Sequence, residues 1–200
     1  MPQGSSVVED YLKAIHAHTE WQPEPITSGR LAARLGLANS SVTEMVKRLV
    51  VQGLVDHEPY GSVRLTAAGR EQALRMTRRH RLLETWLVRE FGYGWDEVHD
   101  EAEVLEHTVS DRLLDAIDDR LGRPTRDPHG DPIPDRNGVV TVPAAVLAAE
   151  CAAPAAAVVR ISDRDPQVLR GLEERGIALD TVVTIAELSA DEAAAVWVAL

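Results

Sequence analysis

Four residues within a run of nine, His99, Glu103, Glu106 and His107, have the side-chain types that hold a divalent cation, and their spacing suits one side of a helix. At ~100° per residue, with His99 at zero, Glu103 falls at ~40°, Glu106 at ~340° and His107 at ~80°. Val98, Ala102, Leu105 and Val109 then occupy about 240° to 300°, so the carboxylate and imidazole stripe borders the apolar one. Burying charged carboxylates is costly without a cation, and a divalent ion supplies the compensation. His80 and Glu84, four residues apart, share one face of the preceding helix. The same spacing also suits an ordinary helix with Glu and His at its boundary.

Several elements must position these groups. Val8, Tyr11, Leu12 and Ile15 predict an amphipathic helix from Ser5 to about Glu20, ended by Trp21-Gln22-Pro23-Glu24-Pro25. Thr27 caps a second helix carrying Leu31, Ala32 and Leu35, and Gly36 supplies its tight exit. Asn39, Ser40 and Ser41 are N-cap types, with Ser41 and Glu44 at capping-box spacing, before a third helix that buries Val42, Met45, Val46 and Leu49. Leu54-Val55 and Val63-Arg64-Leu65 flank the turn Pro59-Tyr60-Gly61-Ser62 and predict a small hairpin. A long helix from Thr66 to about Glu90 packs through Leu74, Leu82, Leu83, Trp86 and Leu87 and breaks at Gly92-Tyr93-Gly94. Two further helices follow, Trp95 to His107 and Ser110 to Leu121.

Five prolines and few apolar residues make Gly122 to Pro143 a predicted linker. Beyond an alanine-rich stretch from Ala144 to Ala157, the tail reads as strand (Val158 to Ile161), helix (Pro166 to Arg175), strand (Val182 to Ile185) and a last segment ending Val196-Trp197-Val198. The fold class is therefore mainly α: an N-terminal winged helix-turn-helix over residues 1–73, a helical domain over 74–140 that carries the candidate metal ligands, and a small SH3-like (FeoA-like) α+β module over 141–200.

The winged helix-turn-helix makes double-stranded DNA the expected partner. The N-terminal side chains of its second helix can enter the major groove, where all four base pairs are distinguishable. Asn39, Ser40, Ser41 and Thr43 suit that position, and Lys47, Arg48 and Arg64 suit phosphates, which position without specifying sequence. A three-helix packing unit with merely solvated polar residues is the plainer alternative. The net charge of −11 argues against a polyanion only until its distribution is read: residues 1–81 hold eleven Lys and Arg against eight Asp and Glu, the remainder ten against twenty-four.

Length, composition and the absence of a long apolar stretch point to a cytoplasmic protein with no membrane association. The single Cys151 excludes an internal disulfide and an all-cysteine zinc site. His16, His18, His57 and His129 show no partner pattern and read as surface or linker histidines; Trp86 and Trp95 read as core. A metalloenzyme is disfavoured, because no His-Glu-x-x-His, Gly-x-Ser-x-Gly or P-loop is present. A winged-helix regulator with an organic effector is the closer alternative.

The chain resembles the diphtheria toxin repressor family of metal-dependent transcriptional regulators, which includes the manganese transport regulators. The resemblance rests on Glu9-Asp10-Tyr11-Leu12, SSVTEMVKRLVVQGLV, HRLLE at His80 to Glu84, HDEAEVLEHTVSDRL from His99, and DPHGDPIP at Asp127 to Pro134. It implies a homodimer on a palindromic operator, with a primary metal site at Asp10, Glu103, Glu106 and His107 and an ancillary one at His80, Glu84 and His99. It further implies ancillary ligands from the C-terminal module, for which Asp165 and Gln167, or Asp163, are the nearest candidates. Iron-responsive members carry Met at the Asp10 position and Cys at the Glu103 position. Two carboxylates in their place favour Mn²⁺ as corepressor over soft-ligand metals, with Fe²⁺ and other divalent ions (Zn, Co, Cd) as substitutes. Lys13 stands where some manganese regulators have a further Glu, so separate primary and ancillary sites are expected in place of a closely spaced pair. The implied function is repression of metal-ion homeostasis genes, with an iron(II)-dependent repressor as the alternative within the family.

Overall fold

The computed structural model describes residues 3–21, 24–58 and 61–200, with side chains from Ser6 onward. It forms two compact units, Met1–Thr77 and Arg78–Leu200.

The first unit runs α1 (Gln3–Thr19), β1 (Ile26–Thr27), α2 (Ser28–Leu35), α3 (Asn39–Val51), β2 (Val55–His57), β3 (Ser62–Leu65) and the start of α4 (Ala67–Trp86). The strands form an antiparallel sheet in the order β1-β3-β2, with Ile26 opposite Val63 and Val55 opposite Leu65. Its core gathers the predicted stripes: Val8, Tyr11, Leu12 and Ile15 of α1, Leu31 and Ala32 of α2, and Val42, Val46 and Leu49 of α3, closed by Ile26, Leu54, Val55 and Val63. Truncating any of the larger ones to Ala removes about 2–5 kcal/mol of stability.

Thr27 Oγ1 accepts the Arg30 amide at 3.3 Å, and Gly36 ends α2 in the left-handed region at φ 64°. Thr66 Oγ1 accepts the Gly69 amide at 3.1 Å and donates to the Gly53 carbonyl at 2.7 Å, tying the start of α4 to the foot of the hairpin. A side chain at Gly69 would place its Cβ 1.9 Å from the Leu54 carbonyl oxygen, so only glycine permits that approach.

The expected cap of α3 does not form. Ala38 occupies the N-cap with no side-chain hydrogen bond, while Asn39, Ser40 and Ser41 already lie inside the helix. The Ala38 carbonyl accepts the Val42 amide at 3.1 Å, so the first turn is closed before Ser41, and Glu44 pairs with Lys47 at 2.7 Å. Helix α1 stops at Thr19, whose hydroxyl donates to the His16 carbonyl. Gln22 and Pro23 of the predicted stop, and Pro59 and Tyr60 of the predicted turn, lie outside the described residues. His16 and His18 are buried and His57 half-buried, so the surface assignment of these histidines is corrected.

The second unit begins within α4, which passes into one π-helical turn at Leu87–Phe91 and ends at Gly92, φ 74°. Next come α5 (Val98–Glu106) and α6 (Asp111–Arg120), the latter capped by Ser110. Leu83 of α4, Leu87 of the π-helical turn, Val98 and Ala102 of α5 and Ile117 of α6 form one core. The chain then runs through β4 (Ala145–Leu147), β5 (Ala155–Ile161), α7 (Pro166–Glu174), β6 (Val182–Thr184), α8 (Ala190–Ala195) and β7 (Val196–Ala199). These strands make a four-stranded antiparallel sheet in the order β4-β7-β5-β6 over a core that includes Val158, Ile161, Leu169, Leu172, Val196 and Val198. The alanine-rich stretch thus supplies β4 and the start of β5.

The predicted linker is corrected over its middle part. Residues 129–134 are buried and Asp127 with them, because two arginines of α4 accept this segment. Arg78 donates to the Pro134 carbonyl at 3.0 Å and to Asp118 at 2.8 Å; Arg81 donates to the Pro132 carbonyl at 2.6 Å. A proline lacks an amide hydrogen yet keeps its carbonyl, so a proline-rich run offers acceptors that buried guanidinium groups can use.

Candidate metal centre

Helix α5 begins at Val98, three residues later than expected, and His107 is its C-cap. Its polar stripe does border the apolar one. Glu106 is fully buried, while His99 and Glu103 are half-exposed.

His80 on α4 lies at the centre. Its Nδ1 is 2.6 Å from Glu106 Oε2, and its Nε2 is 2.9 Å from Glu84 Oε1 and 3.1 Å from His99 Nδ1. With a carboxylate on each side, the His80 imidazole can donate a hydrogen bond from either ring nitrogen or yield one nitrogen to a cation. His80, His99 and Glu103 each offer a donor atom within 4.8 Å of the other two. Glu84 Oε1 lies 3.4 Å from His99 Nδ1, and Glu106 Oε1 is 3.6 Å from His107 Nε2. Of the sequence-predicted sets, His80, Glu84 and His99 therefore converge, and Glu106 and His107 are adjacent within the second unit. Asp10 is half-buried on α1 of the first unit.

From the C-terminal module the residue that approaches is Asp163, its Oδ2 3.9 Å from His99 Nδ1. Asp165 is engaged otherwise: its exposed carboxylate accepts the amides of Gln167 at 2.9 Å and Val168 at 3.4 Å and caps α7. Gln167 is exposed in the first turn of the same helix. Asp165→Ala is accordingly expected to cost about 1 kcal/mol of stability in a thermal melt and to leave the number of bound metal ions unchanged in calorimetric titration.

A second group was not foreseen. Glu84, Asp127 and His129 are all buried, with donor atoms within 4.8 Å of one another. His129, expected in a linker, is 1% exposed, and its Nε2 donates to the Trp95 carbonyl at 3.0 Å. Asp127 Oδ1 accepts the amides of His129 and Asp131, both at 2.9 Å. An Asp-x-His pair was the available signal, and only its presumed linker setting hid it.

Electrostatics shows what these groups lack. Burial, then the neighbouring Asp131 and Glu84 carboxylates, push the Asp127 carboxyl up from 3.8 to about 8. Burial also opposes ionisation of Glu84, yet His80 and His99 hold it well below its ordinary value. Burial works against a charged His129, but Asp127, Glu84 and Asp163 raise its pKa. The cluster thus retains protons near neutrality to offset its carboxylates. A divalent cation offers the same compensation, and the oxygen and imidazole donors fit a hard or borderline ion.

The predicted DNA-contacting side chains lie on one helix and the hairpin. Asn39, Ser40, Ser41, Thr43, Lys47 and Arg48 are exposed on α3, and Arg64 is exposed on β3.

A helix-turn-helix with an exposed polar second helix, joined to a helical unit with buried carboxylate and imidazole clusters, defines a metal-responsive DNA-binding regulator. The comparisons give the family. Residues 5–63 match the iron dependent repressor N-terminal DNA binding domain, and residues 66–135 match the iron dependent repressor metal binding and dimerisation domain. The chain belongs to the iron-dependent repressor family, to which the diphtheria toxin repressor belongs, and is a metal-dependent transcriptional repressor and not an enzyme.

A solved manganese-dependent transcriptional repressor in complex with manganese is 46% identical, with a TM-score of 0.89 over 96% of this chain and 99% of that one. The diphtheria toxin repressor of Corynebacterium efficiens is 38% identical over 130 residues, 63% of this chain and 54% of its own length. An uncharacterized HTH-type transcriptional regulator of Methanocaldococcus jannaschii is 34% identical over 113 residues, 56% of this chain and 90% of its own. The match therefore spans about half the length of the curated diphtheria toxin repressor. No helix among the described residues is long and apolar enough to cross a membrane.

Proposed function

We propose that this repressor takes Mn²⁺ as corepressor, binds a palindromic operator as a cytoplasmic homodimer, and controls metal-ion homeostasis genes. The observation that carries the choice of metal is the donor chemistry: Glu84, His99, Glu103, Glu106, His107, Asp127 and His129 offer oxygen and imidazole nitrogen but no sulfur. Such sets suit Mn²⁺, whereas thiolate and thioether donors select softer ions. The 46% identical manganese-dependent repressor supports the same assignment.

In this reading residues 1–73 read DNA, 74–140 bind metal and dimerise, and 141–200 form an SH3-like (FeoA-like) module. The primary position uses Asp10, Glu103, Glu106 and His107. The ancillary position uses His80, Glu84 and His99, and the buried group of Glu84, Asp127 and His129 shares Glu84 with it. A cation that takes Asp10 from one unit and Glu106 with His107 from the other ties the two units, and thereby fixes the spacing of the reading helices in the dimer. The linkage is reciprocal, so metal raises DNA affinity and DNA raises metal affinity by the same factor.

The test is a gel shift on a palindromic duplex with Mn²⁺, Fe²⁺ or chelator. Binding is expected with Mn²⁺ and lost with chelator; equal affinity in both would refute corepression. A sharper test of donor hardness is the double substitution Asp10→Met with Glu103→Cys, expected to move the order of effective metals toward Fe²⁺. An unchanged order would remove the argument from donor type.

A further inference from the structure

The loop that carries Asp127 and His129 is held from β5 as well as from α4. The Ile161 amide donates to the His129 carbonyl at 2.8 Å. Gly130, at φ 94°, lies so close to β5 that a Cβ would stand 2.2 Å from the Val159 carbonyl oxygen, an approach and a conformation open to glycine. Next to it, Arg160 Nε donates to Asp131 Oδ1 at 2.6 Å, with both side chains more than nine-tenths buried. The guanidinium carbon of Arg160 stands 4.2 Å from the centre of the Trp197 ring on β7. A register shift between Val158 and Arg160 puts Arg160 opposite Trp197. Three residues further along the same chain, Asp163 approaches His99.

The charges around this contact explain what it does. Arg81 lies between two carboxylates, 3.5 Å from Asp127 Oδ2 and 3.7 Å from Asp131 Oδ1. Arg160, at 2.6 Å, is the closer of the two guanidinium groups to Asp131. Without that contact Asp131 keeps Arg81 as its charged neighbour, and the loop bearing Asp127 and His129 loses one of its two ties to β5, the other being the Ile161 amide on the His129 carbonyl. Ordering a ligand-bearing loop through a buried, charge-assisted bond is how groups outside a metal's own ligands set affinity.

We propose that Asp131 and Arg160, with Trp197 beneath the guanidinium, form a latch through which the C-terminal sheet sets the geometry of the cation position at Glu84, Asp127 and His129. This rests on the reading that the cluster takes a divalent cation. Asp131 and Arg160 are positioning residues, and through them occupancy of that position steadies the C-terminal sheet.

The experiment titrates full-length protein with Mn²⁺ and follows free Mn²⁺ by electron paramagnetic resonance, for the parent, Asp131→Asn, Arg160→Met, the conservative Arg160→Lys, and Glu84→Gln as reference. Asp131→Asn keeps the shape and an acceptor oxygen for Arg160. Each latch variant is expected to weaken the class of sites that Glu84→Gln removes by about 10–100-fold, with the other class unchanged. The double variant Asp131→Asn with Arg160→Met is expected to be no worse than the single ones, because both act through one contact. The visible absorption of Co²⁺ in that class is expected to shift in Asp131→Asn, a change of coordination that simple loss of stability does not produce. Melting temperatures in chelator show whether each variant is folded, and Asp131→Asn with Arg160→Lys decides the matter if Arg160→Met is not. Parent-like affinity and Co²⁺ spectra in those two variants overturn the latch alone. If Glu84→Gln removes no class of sites, the cluster takes no cation, and the underlying reading falls together with the latch.

Discussion

Glu106→Gln is expected to abolish the metal response of DNA binding while leaving the protein folded. Glu106 is fully buried, with one carboxylate oxygen 2.6 Å from His80 Nδ1 and the other 3.6 Å from His107 Nε2. Glutamine has the same length, and its carbonyl still accepts from His80, so the melting temperature in chelator should stay within a few degrees of the parent. What disappears is the negative charge that pairs with a cation. Coupling between an effector and DNA is typically worth about 5–150-fold in affinity, and that whole factor should vanish for the variant. Fluorescence anisotropy on a labelled operator duplex measures it directly. If Mn²⁺ still tightens DNA binding of Glu106→Gln as it does for the parent, Glu106 is no part of the switch, and its hydrogen bond with His80 serves packing alone.

How much of this was legible beforehand depends on how local each signal is. The buried stripes of α1, α2 and α3 follow from apolar residues a turn apart, and Val8, Leu12, Leu31, Val46 and Leu49 all reach the core. The start of α3 was misplaced because Asn39, Ser40 and Ser41 are equally good caps, and type alone cannot choose among them. Strand β1 has two residues and exists through its pairing with Ser62 and Val63, which no local pattern announces. The same holds for β4, whose alanine-rich sequence gives no alternation until β7 lies beside it.

The site divides along the same line. The α5 stripe and the His80–Glu84 pair were readable because helical periodicity carries both, and folding sets His99 against His80. Asp127 and His129 were not, because their burial depends on Arg78 and Arg81, some fifty residues earlier, and on β5, some thirty residues later. A proline-rich segment with few apolar residues reads as solvated until its buried polar partners are known. Which of the candidate aspartates approaches His99 was hidden for a related reason. An Asp just before Pro166 is the natural cap of α7, and Asp165 serves there, whereas Asp163, just after β5, is the residue that reaches His99.

Acidification should weaken cation binding at the buried cluster, and Asp127 sets the direction. Its carboxyl, pushed up to about 8, holds below that pH a proton that the cation must displace. Each unit below pH 8 then costs roughly tenfold in apparent affinity, about 100-fold between pH 8 and pH 6. His129, also raised, adds to the slope, whereas Glu84 is held well below its ordinary value and stays ionised throughout. Stability follows the same protons. A carboxyl raised by folding stabilises fully below its ordinary pKa of 3.8 and loses that contribution as pH rises through about 8. Glu84, lowered by folding, contributes above its ordinary value and loses its share only in acid. From pH 6 to pH 8, therefore, Asp127 makes the metal-free protein less stable. A cation at the cluster removes that penalty, so the rise in melting temperature on adding Mn²⁺ should widen over this range. Calorimetry in buffers of different ionisation enthalpy should register proton release on Mn²⁺ binding at pH 6.5, and Asp127→Asn should reduce it. Affinity and melting increment that stay flat from pH 6 to pH 8 would show that no cation displaces a proton from Asp127.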